Sequence, residues 1–283
     1  MDVSGLIEVL NLERTGPCKF KGKSLDMDAT RVFGGQVVAQ AIIAAQRCDE
    51  TTRRIHSLHA SFLRPGKPAA PIEFEASVLS SGRTFSTRQV NARQNNRLLF
   101  TMNASFQAQQ PGLEHQSRMP AVKRPAELLS RQDQLASNPR NLPRKVVEFW
   151  NRPHPVDVRP LGVDHYLNQT ERAPQQNIWL KIVGKVPQRP LIQSAVLAYV
   201  SDLTLLEVTT LPHGRTALDD EIETASLDHS MWFHRDVDVS QWLLCSQDSP
   251  SASASLGLAR SQIFMEDGIL VASTAQEGLI RLI

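Results

Sequence analysis

Phe33-Gly-Gly-Gln-Val-Val-Ala-Gln-Ala-Ile-Ile-Ala-Ala-Gln-Arg47 opens on two glycines, is dominated by alanine, and carries almost only apolar side chains and uncharged amides. A helix that is apolar nearly all round is a buried one. The paired glycines let another backbone approach closely at its start. Four strand-like runs follow it. Residues 55–64 end at Pro65-Gly66, 72–79 at Ser80-Ser81-Gly82, 85–93 at Asn95-Asn96, and 98–107 at Pro111-Gly112. Alternating residues between regular turn signals mean an antiparallel meander. Upstream, residues 5–12 suit a short helix and 12–22 an extended stretch with a turn at Pro17. The first half is therefore one buried helix followed by a curved antiparallel sheet.

Most of the 17 prolines lie between residues 109 and 190. That density forbids long helices and central strands, so 109–151 reads as a long surface connection. Residues 156–163 and 177–184 can still be strands that open a second half. That half repeats the plan of the first: an apolar helix over 191–208, a turn at Pro212-His213-Gly214, then strands over 224–235, 241–247, 255–265 and 269–282. Turns fall at Ser249-Pro250 and Glu266-Asp267-Gly268. Arg64 and Arg235 follow strands carrying Phe62 and Phe233, and the same offset sets Leu98-Leu99-Phe100 against Ile269-Leu270-Val271. One long helix wrapped by an antiparallel sheet, made twice, is the α+β plan of a double hotdog. Its expected domains are 1–108, a proline-rich linker over 109–151, and 152–283.

With 41% hydrophobic and 21% charged residues, the 283-residue chain can bury a core in each half. A net charge of +2 gives no general field for nucleic acid or an anionic membrane. No run approaches the roughly 20 apolar residues of a membrane span. Cys18, Cys48 and Cys245 are scattered and odd in number, and without metal-ligand spacing they read as reduced thiols of a cytoplasmic protein.

The chemistry gathers in the second half. Thr224-Ala-Ser-Leu-Asp-His-Ser-Met-Trp-Phe-His-Arg235 packs Ser226, Asp228, His229, Trp232 and His234 into one strand-like run. At period two, Ser226, Asp228, Ser230, Trp232 and His234 share one face; Ala225, Leu227, His229, Met231 and Phe233 share the other. Asp202 lies on a helical line with Ala195, Tyr199 and Leu206, where a carboxylate is costly unless hydrogen-bonded or used. The first-half helix contains no acid. Gln276 is an amide on the mostly apolar face of the last strand. An acid, a hydroxyl and an amide make a set able to activate water. No Gly-x-Ser-x-Gly elbow supports a serine hydrolase. His56 and His59 point to opposite faces of a strand and make no metal pair. No histidine follows an aspartate by five residues, as a double-hotdog hydratase needs.

The blocks Arg31-Val-Phe-Gly-Gly-Gln-Val-Val38, His56-Ser-Leu-His-Ala-Ser-Phe-Leu-Arg-Pro-Gly66, Ala104-Ser-Phe-Gln-Ala108, Ser201-Asp-Leu203, Leu227-Asp-His-Ser-Met-Trp-Phe-His-Arg235 and Gln276-Glu-Gly278 resemble, in order and end to end, the bacterial acyl-CoA thioesterases II of the TesB type. The resemblance implies hydrolysis of fatty acyl-CoA, medium to long in chain, to free fatty acid and CoA, without metal or bound cofactor. It implies a catalytic set at Asp202, Ser226 and Gln276. The bacterial type has threonine where this chain has Ser226, which keeps the hydroxyl and drops a methyl. A non-catalytic acyl-CoA-binding protein is the alternative, though it has no need of a buried Asp202. CoA phosphates need local cations, and Arg64 and Arg235, each closing a strand, are the candidates. Paired hotdog sheets suggest a homodimer or homotetramer.

Overall fold

The structure, a computed structural model, describes residues 3–25, 30–49, 53–137, 142–152, 154–162, 164–168 and 170–283; Pro139, Pro153 and Val163 lie outside them. The first half comprises α1 (Val3–Leu10), a hairpin of β1 (Glu13–Gly16) and β2 (Lys19–Gly22), α2 (Gly34–Cys48), and the meander β3 (Arg54–Phe62), β4 (Ile72–Ser81), β5 (Phe85–Gln94) and β6 (Arg97–Gln107). The connection holds two short helices, α3 (Arg131–Ser137) and α4 (Arg144–Asn151), before β7 (Val156–Pro160), α5 (Asp164–Leu167) and β8 (Gln175–Ile182). The second half is α6 (Pro190–Ser201), β9 (Ile222–Ser226), β10 (Asp228–Phe233), β11 (Leu243–Ser253), β12 (Leu256–Met265) and β13 (Leu270–Leu282).

Among the described residues these strands form one antiparallel sheet in the order β1-β2-β4-β5-β6-β3-β10-β13-β12-β11-β8-β7, with β9 on the end of β13. The order is a palindrome about the β3–β10 pair. His59 of β3 faces Ser230 of β10, its own counterpart in the repeat, and their side chains bond at 3.0 Å. The sequence match of Leu98-Leu99-Phe100 with Ile269-Leu270-Val271 is one residue off. Phe62 pairs with Phe100, but Phe233 pairs with Ala272, because the second half carries one more residue between these strands.

The two helices occupy the middle of the sheet's inner face and pack on each other. On α2 every residue from Gly35 to Ala45 is buried, as its composition demands. Buried Arg88 donates to the Ala45 carbonyl (2.9 Å) and to Asp49 (2.9 Å), so a guanidinium helps to close the helix end. The apolar segment 190–213 has the length and composition of a membrane helix, yet its helical run stops at Ser201 and most of it is buried in this core.

Three local expectations change. The chain runs straight through Ser249-Pro250, where β11 is bulged, and turns instead at Ala254-Ser255, both at positive φ (50° and 63°). Pro250 is tolerated because β8 pairs with β11 only as far as Asp248, which leaves that end without a partner on one side. Residues 109–151 do more than cross the surface: Val146 and Trp150 of α4 join Tyr166 in a small core of their own. Cys18 and Cys48 are not separate thiols. The β1–β2 turn and the end of α2 bring them together as a disulfide with Cα atoms 4.4 Å apart. Cys245 alone is free, so the cysteines no longer support a reducing compartment.

Candidate active site

The sequence suggests Asp202 within a helix; the structure places it just after one. The Ser201 hydroxyl donates back to the Ala198 carbonyl (2.9 Å), and Asp202 takes the capping position at φ −89°, ψ −10°. From there its carboxylate, 4% exposed, points at the first turn of α2. The Gly35 N–H donates to it, at the positive end of that helix. The paired glycines make this approach possible. A Cβ on Gly34 would stand 2.9 Å from Asp202 Oδ2, and one on Gly35 would stand 2.7 Å from the Tyr199 carbonyl. Burial pushes the Asp202 carboxyl up to about 6, against the opposing pull of hydrogen bonds from Gln276 and Gly35.

Gln276 rises from β13 beneath it. Its Nε2 donates to Asp202 Oδ1 at 2.7 Å and lies 3.3 Å from His229 Nδ1. Its Oε1 is buried and makes no hydrogen bond among the described residues. His229, fully buried, meets Ser201 Oγ through Nε2 at 3.0 Å. Burial lowers its imidazole to about 4, so the ring is neutral at ordinary pH. Sequence periodicity carried a signal for it, since His229 falls on the apolar face with Met231, but that pattern alone gives no partner.

The expected single strand over 224–235 is two strands. At Leu227 an extra residue opposes Glu277, ending β9 and starting β10. Asp228 Oδ1 takes the Glu277 N–H at 2.8 Å, which holds this bulge open. Ser226, half-buried at the end of β9, sits opposite Gly278, two residues along β13 from Gln276. Its hydroxyl has no hydrogen bond among the described residues. The structure thus brings Asp202 and Gln276 into contact and leaves Ser226 flanking them. Arg64 and Arg235 occupy equivalent strand ends. Arg64 donates to the Leu98 carbonyl (2.8 Å), and Arg235 to the Leu270 carbonyl (3.1 Å) with Glu114 at 3.7 Å.

Ser201, His229 and Asp202 form a row that imitates a serine-hydrolase relay. The row cannot work as one: Ser201 is buried and its proton is held by Ala198, and imidazole and carboxylate are 3.9 Å apart. Cys245 is no alternative nucleophile, because burial pushes its thiol up to about 12. A cavity of about 570 Å³ is lined by Phe33, Gln36 and Leu203 on one hand and by Phe149 and Trp150 of α4 on the other; Asp202, Ser226 and Gln276 do not line it, although Leu203 follows Asp202 in the chain. Among the described residues no cluster of His, Cys, Asp or Glu could hold a metal.

Residues 23–107 match the family model for the acyl-CoA thioesterase N-terminal domain, and residues 149–279 the model for acyl-CoA thioesterase. The chain is 38% identical to acyl-CoA thioesterase 2 of Haemophilus influenzae over 99% of its own length and 98% of that protein. It is similar to the crystal structure of the acyl-CoA thioesterase II TesB2 from Mycobacterium marinum, at 35% identity and a TM-score of 0.81 over 98% of both chains. A hot dog-fold protein of unknown function from Alicyclobacillus acidocaldarius, 19% identical over 98% of each chain, shares the fold at a TM-score of 0.80. Two family models in order and a full-length relative at that identity place this chain among the TesB-type acyl-CoA thioesterases, on a double-hotdog fold.

Proposed function

We propose that this acyl-CoA thioesterase cleaves medium- to long-chain fatty acyl-CoA by direct attack of a water held between Asp202 and Gln276. The observation that carries the reading is their 2.7 Å contact, buried at the crossing of the two helices, with the neighbouring Leu203 lining a cavity of about 570 Å³. The water oxygen bonds to the thioester carbon as its proton passes to Asp202. The tetrahedral intermediate then expels CoA thiolate, which recovers a proton from Asp202. Burial suits Asp202 to the task, because a base that titrates near the working pH transfers protons best. The catalytic groups lie in the proposed domain 152–283, joined to 1–108 by the linker 109–151. The enzyme is taken to be a homodimer or homotetramer, checked by sedimentation. A panel of acyl-CoA esters assayed for thiol release tests the activity and its chain length; no release from any of them ends the proposal.

Ser226 helps to hold the water. Ser226→Thr is expected to keep most of the activity, and Ser226→Ala to lose about ten-fold in kcat, the size of one good hydrogen bond. No acyl-enzyme should form. An acyl group found on Ser226 by mass spectrometry would replace this mechanism with covalent catalysis.

Arg64 and Arg235 are proposed to meet the phosphates of CoA with the donors their carbonyl contacts leave over. Replacing either by Ala should raise KM for acyl-CoA about five-fold with kcat nearly unchanged, as when uniform binding is lost. The rise should vanish for an acyl thioester that lacks the nucleotide. Equal effects on both substrates would mean that the arginines only brace the strand ends.

A further inference from the structure

We propose that His229 is a positioning residue for this reaction, fixing the Gln276 amide so that Oε1, and not Nε2, faces the attacking water. The inference rests on Asp202 and Gln276 carrying the hydrolysis. It starts from the hydroxyl of Ser201, which has one proton and spends it on the Ala198 carbonyl at 2.9 Å. Toward His229, Ser201 can then only accept, so the ring proton sits on Nε2, at 3.0 Å, and Nδ1 keeps its lone pair. That lone pair faces Gln276 Nε2 at 3.3 Å.

An amide nitrogen has two protons. One goes to Asp202 Oδ1 at 2.7 Å and the other to His229 Nδ1. Flipping the amide would set Oε1 against a carboxylate oxygen and an imidazole lone pair together, which opposes the flip twice. With both N–H groups engaged, Gln276 has no donor left for an oxyanion. Its buried Oε1, unbonded among the described residues, is the atom that can take a hydrogen bond from water. Gln276 is therefore an acceptor that aims the nucleophile, and the oxyanion must be met by other donors.

The second hold matters at one moment. When Asp202 takes the proton from water, its carboxyl gains a donor and its grip on the amide weakens or reverses. His229 does not change: its Nε2–H stays on Ser201, and Met231, the other neighbour of that hydroxyl, carries no charge. The amide thus keeps its direction while the intermediate exists. Neutrality of the ring, lowered to about 4 by burial, is what keeps Nδ1 bare through the working range.

Imidazole ¹⁵N spectra decide the point without reference to activity. The neutral Nε2–H tautomer of His229 is expected from about pH 5 to about 8, with the resonance assigned by its loss in His229→Leu. An Nδ1–H tautomer or an imidazolium in that range overturns the proposal. Kinetics give a second readout. His229→Asn returns an acceptor oxygen near the place of Nδ1 and should stay within about ten-fold of the parent kcat, whereas His229→Leu should fall about 100-fold with KM unchanged. Equal kcat in the two folded variants would make His229 merely structural. Should either fail to fold, Ser201→Ala removes one oxygen only. It should release the tautomer and lower kcat about ten-fold, and a parent-like kcat there counts against the proposal. Asp202→Asn separates the two readings. Parent-like turnover in that variant sinks the hydrolytic mechanism, while a wrong tautomer beside an inactive Asp202→Asn sinks the role of His229 alone.

Discussion

Asp202→Asn is expected to lower kcat for acyl-CoA hydrolysis about 1,000-fold, within the span that general-base assistance covers, while the fold becomes more stable at neutral pH. Both effects come from one group. In the fold, burial raises the Asp202 carboxyl from 3.8 to about 6, so the native state holds its proton more tightly than the unfolded chain does. The ionisation cost is absent below about pH 4, grows between about pH 4 and 6, and is complete above that, at about 3 kcal/mol. A neutral asparagine escapes this cost. Part of the gain is lost again, because its amide must fit between the N–H of Gly35 and the amide of Gln276. Melting curves should therefore set the variant above the parent above about pH 6 and slightly below it under about pH 4, where only the cost of fitting the amide remains. In the parent, kcat/KM should fall with a single-proton slope as pH drops through about 6 and level off above it. Turnover within a few-fold of the parent, or a flat profile across that range, would remove Asp202 from the mechanism.

Gly35→Ala should damage folding and catalysis together. Its Cβ would lie 2.6 Å from the Phe33 ring and 2.7 Å from the Tyr199 carbonyl. The ring can swing aside. The carbonyl belongs to the backbone of α6 and cannot, so the start of α2 must move away from α6. Overpacking of this kind costs about 1–3 kcal/mol, which a shift in the thermal midpoint measures. The same movement draws the Gly35 N–H off Asp202 and takes away one of the bonds that orient the carboxylate, so kcat should fall about 100-fold in the protein that remains folded. Gly34→Ala tests the same contact from the other side, since its Cβ would meet Asp202 Oδ2 at 2.9 Å. Its folding penalty should be smaller, with a comparable loss of turnover. A Gly35→Ala protein with parent-like melting and parent-like kcat would show that the helices have slack at this crossing.

The architecture was legible because its signals are local and repeated. An all-apolar helix, regular turns and alternating strands appear twice, and they suffice for the double-hotdog plan, while the palindromic order that joins the two halves through β3 and β10 has no local signal. Contact between Asp202 and Gln276 was legible only as a residue set, because no periodicity reports a distance across 74 positions. Ser226 was placed on the wrong strand geometry, since a one-residue bulge at Leu227 reverses the face that alternation assigns. The Cys18–Cys48 bond was missed because the two residues lie on different elements, a turn and a helix end, whose meeting is a tertiary event. His229 stood in the right stretch and on the right face. What was invisible is the hydroxyl of Ser201, one residue short of the acid, which sets the imidazole proton.

The crossing of α2 and α6 has a consequence for stoichiometry and descent. Asp202 and Gln276 come from one copy of the repeat, but the N–H of Gly35 comes from the other. A duplicated pair of identical units would own two such crossings. Asp49 caps α2 as Asp202 caps α6, but its carboxylate is bound to the Arg88 guanidinium at 2.9 Å, whereas Asp202 is set against the start of the other helix. On the proposed mechanism each polypeptide has one turnover centre, so a tight transition-state mimic should titrate at a single equivalent per chain. Neither copy can then be exchanged alone, because each supplies a hydrogen bond to the Asp202 carboxylate. The ancestral symmetry survives in the sheet and is broken at the crossing that holds Asp202.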